Sequence, residues 1–168
     1  MAASGAIDVG IFAARMIYEY HQAEKNTKEM SHVLATDLVN LSNKYYNVRV
    51  VAHSLGARLL LNALRDVPDE DKPNNIHLLA PAFAENEFTD IIGNSSKDNT
   101  FIYYSHRDVV LYTFLHLLKR EEAVGAHGLT DNYNNCHQID VTNYFKDHWL
   151  VHNNYKDEFP NFIINDKV

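Results

Sequence analysis

Apolar positions along the chain follow two different spacings. Between residues 11 and 41 they recur every three or four positions, which predicts helix, with a break expected near residues 26 and 27. Short aliphatic and β-branched runs stand apart from this stretch and are typical of buried parallel strands. They lie at 48–52, 76–79, 100–104 and 138–141.

Helical patterns separate these predicted strands. They cover residues 55–64, 88–92, 109–119 and 153–159, and Pro160 is expected to end the last of them. The first ten residues leave room for at most one short strand, at 6–12. Alternating strands and helices predict one α/β domain over residues 1–168, with a parallel sheet flanked by helices on both faces. In such sheets, reactive groups gather at the carboxyl ends of the strands.

One such strand end carries the pattern small-x-Ser-x-Gly, in Ala52-His53-Ser54-Leu55-Gly56. A strand joined to a helix without a loop requires a sharp turn and a strained serine backbone. We expect the strand and helix backbones nearly to touch at this turn, which requires small residues on either side of it, and Ala52 and Gly56 meet that requirement. The turn would direct the Leu55 N–H toward a developing oxyanion. A simpler interpretation is that Ser54 only caps the helix.

A serine hydroxyl needs a base that is itself oriented by an acid. Asp108 follows the third strand, either as that acid or as the N-cap of the helix at 109–119. His148 and His152 follow the fourth strand, and we favour His152 because it directly precedes the last helix, with His148 as the alternative base. We expect the His53 side chain to point away from Ser54.

A metal site is a weaker interpretation of the same histidines. His148 and His152 are four positions apart, which would place both on one helical face. There is no His-Glu-x-x-His motif and no evident third ligand, so we predict no metal.

The net charge and composition argue against some classes of binding partner. A net charge of −7 without a basic stripe argues against nucleic-acid binding, and no apolar run reaches the length needed to span a bilayer. The single cysteine, Cys136, excludes an intramolecular disulfide and gives no support for an oxidising compartment. We therefore expect an intracellular protein.

Residues 50–58 closely resemble the elbow of serine α/β-hydrolases, in particular a poorly characterised esterase- or lipase-like group. Residues 78–83, 103–108 and 152–155 resemble further parts of that fold. The resemblance implies that Ser54 is the nucleophile, His152 the general base and acid, and Asp108 its orienting carboxylate. It also implies a small-molecule acyl substrate and neither a metal nor an organic cofactor.

The chain departs from this family mainly at its N-terminus. Family members have several strands and an oxyanion loop, often containing His-Gly, before the elbow, whereas here Ser4-Gly5 is the only candidate loop. Ala52 also stands where glycine is usual. We therefore expect this chain to form the C-terminal half of the α/β-hydrolase fold. The edge of its elbow strand would then be left without a neighbouring strand. A homodimer, a partner chain or the rest of a longer protein would cover that edge.

Two functions follow from these features. The first is a serine hydrolase that cleaves an ester, thioester or amide through an acyl-enzyme. The second is a catalytically degenerate hydrolase fold that serves as a structural or interaction subunit. Segments 85–99 and 121–135 are expected to border a pocket.

Overall fold

A computed structural model describes residues 3–113, 121–145 and 151–163, with side chains described from residue 18. In chain order, the elements are α1 (Ala3–Lys44), β1 (Arg49–His53), α2 (Leu55–Leu64), β2 (Asn75–Leu79), β3 (Asn99–Tyr104), α3 (Val124–His127), β4 (Cys136–Asp140) and α4 (Val151–Ile163). Residues 109–113 are also helical. Short 3₁₀ turns lie at Asp69–Asp71, Glu85–Glu87, Ile92–Asn94 and Thr142–Phe145.

The four strands form one parallel sheet in the order β1-β2-β3-β4. Its two faces carry two hydrophobic clusters because side chains alternate along a strand. Ile76, Leu78 and Ile102 join the cluster formed with α1 and α2, whereas Phe101 and Tyr103 join the cluster formed with α4. The predicted α/β class, with helices on both faces of a parallel sheet, is confirmed.

The first helix differs from the prediction in two ways. It is continuous through residues 26 and 27, so the expected break is wrong, and it covers residues 6–12, where the sequence left room for at most one short strand. The Thr27 hydroxyl donates back to the Glu24 carbonyl at 2.7 Å, and Ser31 does the same to Lys28 at 2.9 Å. Both hydroxyls are therefore accommodated inside a helix instead of capping a new one.

Two other predicted helices also differ from the structure. Residues 88–92 form turns, in which the Ile91 and Ile92 N–H groups both donate to the Phe88 carbonyl. The last helix starts at Val151 and continues past Pro160, because Phe162 is buried in the core and anchors its final turn. Of the helix predicted at 109–119, residues 114–119 lie outside the described residues.

The elbow strand β1 lies at an edge of the described sheet and pairs only with β2 there, as the sequence led us to expect. Val51 on this strand is 46% exposed. That a second copy or another chain covers the edge stays a prediction. In the described part of the chain, no helix has the length and apolar character needed to cross a bilayer.

Candidate active site

A single residue makes the turn between β1 and α2. Ser54 has φ 54° and ψ −122°, a backbone conformation that costs free energy in residues other than glycine. Hydrogen bonds hold it there: its N–H donates to the Leu79 carbonyl at 2.9 Å, and its carbonyl accepts from the Ala57 and Ala82 N–H groups at 3.1 and 3.2 Å. The predicted sharp, strained elbow is therefore present.

The Ser54 side chain points away from the start of α2. Its hydroxyl makes no capping bond to that helix among the described residues. Instead, Ser54 Oγ lies 2.9 Å from His152 Nε2. The interpretation of Ser54 as only a helix cap does not fit this geometry.

The Asp108 carboxylate is buried and uses its two oxygens for two different partners. Asp108 Oδ1 accepts the Leu111 N–H at 3.1 Å and so caps the helical residues 109–113. Asp108 Oδ2 lies 2.8 Å from His152 Nδ1. The two interpretations offered for this aspartate are therefore not exclusive, since the side chain caps these residues and also contacts the His152 ring.

His152 lies within α4 and not in the loop that was expected. Its side chain is 12% exposed. A carboxylate accepts hydrogen bonds, so we assign the ring proton to Nδ1, which leaves the Nε2 lone pair facing the Ser54 hydroxyl. The alternative base, His148, lies outside the described residues.

Residues 10–160 match the family described as an alpha/beta hydrolase of unknown function (DUF900). The chain belongs to this family. No curated protein and no solved structure matches it. The α/β-hydrolase assignment agrees with the parallel sheet and the serine elbow, whereas the catalytic roles of Ser54, Asp108 and His152 stay predictions.

Leu55 is the first residue of α2 in this α/β hydrolase. The first N–H groups of an α-helix have no acceptor within the helix, so the Leu55 N–H can donate a hydrogen bond to an external acceptor. The neighbouring Ala82 N–H is already bonded to the Ser54 carbonyl. Ser4 and Gly5, the only loop suggested for a second oxyanion donor, lie within α1 and form no loop.

The reason given for a small residue at Gly56 is wrong. A Cβ built on Gly56 would meet no heavy atom of the described residues within 4 Å, so strand and helix do not crowd this position. Its backbone also lies outside the positive-φ region.

We therefore expect Gly56→Ala to keep or slightly raise stability, by up to about 1 kcal/mol, since alanine loses less backbone entropy in a helix. Chemical denaturation of the two proteins measures this difference. Clear destabilisation would show that other atoms occupy the space beside the elbow.

Gly125, at the centre of α3, joins two loops of the site. Its N–H donates to the Pro81 carbonyl and its carbonyl accepts the Ser105 N–H, both at 3.0 Å. A Cβ here would come closer than 3.0 Å to backbone atoms of Ala80 and Pro81. Ala80 itself has φ 45°, so the chain turns sharply where β2 ends. Close packing of this kind requires glycine at position 125.

A buried ionic cluster lies behind the elbow and was not predicted from the sequence. Arg58 is 1% exposed and binds Glu87 through two hydrogen bonds of 2.6 and 2.7 Å. It also contacts Glu24 at 3.0 Å and donates to the Ala82 carbonyl at 3.1 Å. Burial raises the pKa of the adjacent Tyr20 to about 12. The cluster ties α1, α2 and the segment after β2 together.

His53 was expected to point away from Ser54, and it makes no hydrogen bond to that hydroxyl among the described contacts. Its ring instead packs against His152, with 4.7 Å between the ring centroids and a 45° tilt. It also lies 5.9 Å from the Tyr155 ring. The structure therefore brings a second histidine to the site.

A cavity of about 400 Å³ opens between the two segments expected to border a pocket. Its lining includes Glu85, Asn86 and Thr89 from one segment and Glu122 and His127 from the other. Ser54, Asp108 and His152 are not among its lining residues. Over the described ranges, no group of three or more His, Cys, Asp or Glu side chains is placed to hold a metal ion.

Proposed function

We propose that this α/β hydrolase is a serine hydrolase that cleaves an ester, thioester or amide of a small acyl substrate. The observation that carries the proposal is the position of the His152 ring. Its two nitrogens lie 2.9 Å from Ser54 Oγ and 2.8 Å from Asp108 Oδ2. A nucleophile, a base and an acid in this order form the arrangement that activates a serine hydroxyl.

Each group then has a defined task. The Ser54 oxygen attacks the acyl carbonyl carbon while His152 Nε2 takes the hydroxyl proton. The resulting oxyanion accepts a hydrogen bond from the Leu55 N–H. As the bond to the leaving group breaks, His152 gives that group its proton, and the acyl group remains on Ser54.

The second half of the cycle releases the acid. Water attacks the acyl carbonyl and gives its proton to His152, which returns it to the Ser54 oxygen as the carboxylic acid leaves. Throughout, the ionised Asp108 stabilises the His152 imidazolium and keeps its proton on Nδ1. The buried carboxylate suits this task because its second oxygen is fixed by the Leu111 N–H.

A fluorophosphonate probe tests the proposal because it reacts with activated serines without requiring knowledge of the substrate. We expect stoichiometric labelling of the wild-type protein at Ser54, located by peptide mass spectrometry. Ser54→Ala should lose at least about 99% of the labelling, because alanine lacks the hydroxyl oxygen to which the probe bonds.

Ser31→Ala is the matched control for this experiment. Ser31 is partly exposed on α1 and bonds the Lys28 carbonyl, so its loss should leave labelling unchanged. Wild-type protein that resists the probe, or Ser54→Ala protein that is still labelled, would overturn the proposed activity.

The exposed edge of β1 favours one second candidate, an interaction subunit that pairs through this strand with a second copy. A strand edge with unpaired backbone groups can extend into another sheet. Sedimentation velocity on wild-type and Ser54→Ala protein distinguishes the two functions. Two equally stable dimers, together with no labelling of the wild type, would favour the subunit over the enzyme.

A further inference from the structure

His53 is placed to act on His152. It directly precedes Ser54 at the end of β1, and its ring packs against the His152 ring at 4.7 Å between centroids. One side of His53 stays exposed, so the contact with α4 is made by the other side.

We propose that His53 is a positioning residue for the hydrolysis proposed above, on which this inference rests: its ring holds the His152 imidazole in line between Ser54 and Asp108. His152 needs this support because both of its hydrogen bonds depend on one ring orientation. A rotation about the Cβ–Cγ bond would lengthen the bonds to Ser54 and Asp108 together. The packed His53 ring restricts that rotation.

The lowered pKa of the His53 ring fits the same positioning role. Burial lowers its pKa, and the neighbouring His152 lowers it further, whereas the hydrogen bond to the His152 backbone and the Asp108 carboxylate act in the opposite direction. In the described structure, the titratable groups near it are His152 and Tyr155 from α4 and Asp108 from the segment after β3. The lowered pKa favours the uncharged form of the His53 ring beside His152.

Three variants separate ring packing from charge. His53→Phe keeps an aromatic ring that cannot be protonated, whereas His53→Ala and His53→Gln remove the ring. We expect fluorophosphonate labelling of Ser54 to slow about tenfold in the alanine and glutamine variants, which is about 1.4 kcal/mol in the barrier. His53→Phe should stay within about threefold of wild type, and the acid limb of its pH–rate profile should not move, because the proposed role depends on the packed ring and not on a charge at His53.

A second readout needs no reaction. The proton that His152 Nδ1 donates to Asp108 should give a far-downfield proton NMR signal in the wild type and in His53→Phe. We expect that signal to broaden or vanish in the two variants without the ring. His137→Ala is the control, since His137 is an exposed histidine on β4 that bonds Asn99 and should affect neither readout.

The outcomes are distinguishable from a failure of the enzyme itself. Wild-type labelling rate and signal in His53→Ala would overturn the positioning role, and so would a His53→Phe variant as impaired as His53→Ala. Should His53→Ala fail to fold by circular dichroism, His53→Gln carries the same expectation. If the wild type is not labelled at all, the proposed activity fails, while the NMR signal still decides whether His53 orients His152.

Discussion

Asp108→Asn is expected to slow the labelling of Ser54 by about four orders of magnitude, with little loss of stability. The asparagine amide would donate to His152 Nδ1, which moves the ring proton to Nε2. The imidazole would then face the Ser54 hydroxyl with a donor and could not take its proton. Because asparagine also caps helices well, the bond to the Leu111 N–H should survive.

Asp140→Asn is the matched control. Asp140 ends β4, the strand next to β3, and its carboxylate accepts the Thr142 N–H at 2.9 Å without contacting His152. Its replacement should leave the labelling rate within about threefold. Pseudo-first-order labelling rates and thermal melts of both variants make the comparison. An Asp108→Asn protein labelled as fast as wild type would show that the carboxylate does no more than cap a helix.

Arg58→Ala is expected to destabilise the fold by roughly 3–5 kcal/mol, because it leaves two glutamates close together without their cation. Arg58 binds Glu87 at 2.6 Å and Glu24 at 3.0 Å from a side chain that is 2% exposed. For a chain of this length, the loss corresponds to a drop in melting temperature of about 10 °C. Urea unfolding gives the free energy, and calorimetry gives the melting temperature.

Arg65→Ala provides the comparison for that result. Arg65 also binds a carboxylate, Asp90 at 2.7 Å, but these side chains are 35% and 59% exposed. An exposed pair of this kind contributes about 1 kcal/mol or less. If the two variants lose equal stability, burial of the Arg58 cluster has no special effect. If Arg58→Ala loses none, the cluster does not support the fold.

Local patterns were sufficient to place the elbow at the end of β1 and Asp108 after β3, whereas His152 lies in α4 and not in the loop that was expected. The β-branched run before Ser54 and the helical pattern after it identified the elbow, and Asp108 and His152 follow later strands in the expected order. Each of these signals is a short stretch of sequence. The carboxyl ends of parallel strands meet at one edge, so the order along the chain already implied proximity there.

The features that were missed depend on side-chain contacts between distant segments. Glu24 and Glu87 lie 34 and 29 positions from Arg58, and no spacing rule connects an arginine on one helix with glutamates elsewhere. The contact of His53 with His152 could not be foreseen because strand alternation gives the face of a side chain but not the helix that covers it. The helix over residues 6–12 was missed because a short apolar stretch fits either a strand or a helix.

Gly125 couples two loops of the candidate active site to each other. Its N–H donates to the Pro81 carbonyl and its carbonyl accepts the Ser105 N–H, so this one residue connects two loops. The first loop leads to Ala82, which holds the Ser54 carbonyl, and the second leads to Asp108. We therefore expect motion of either loop to be transmitted to the other, so that the distance between Ser54 and Asp108 is sensitive to a residue that has no side chain.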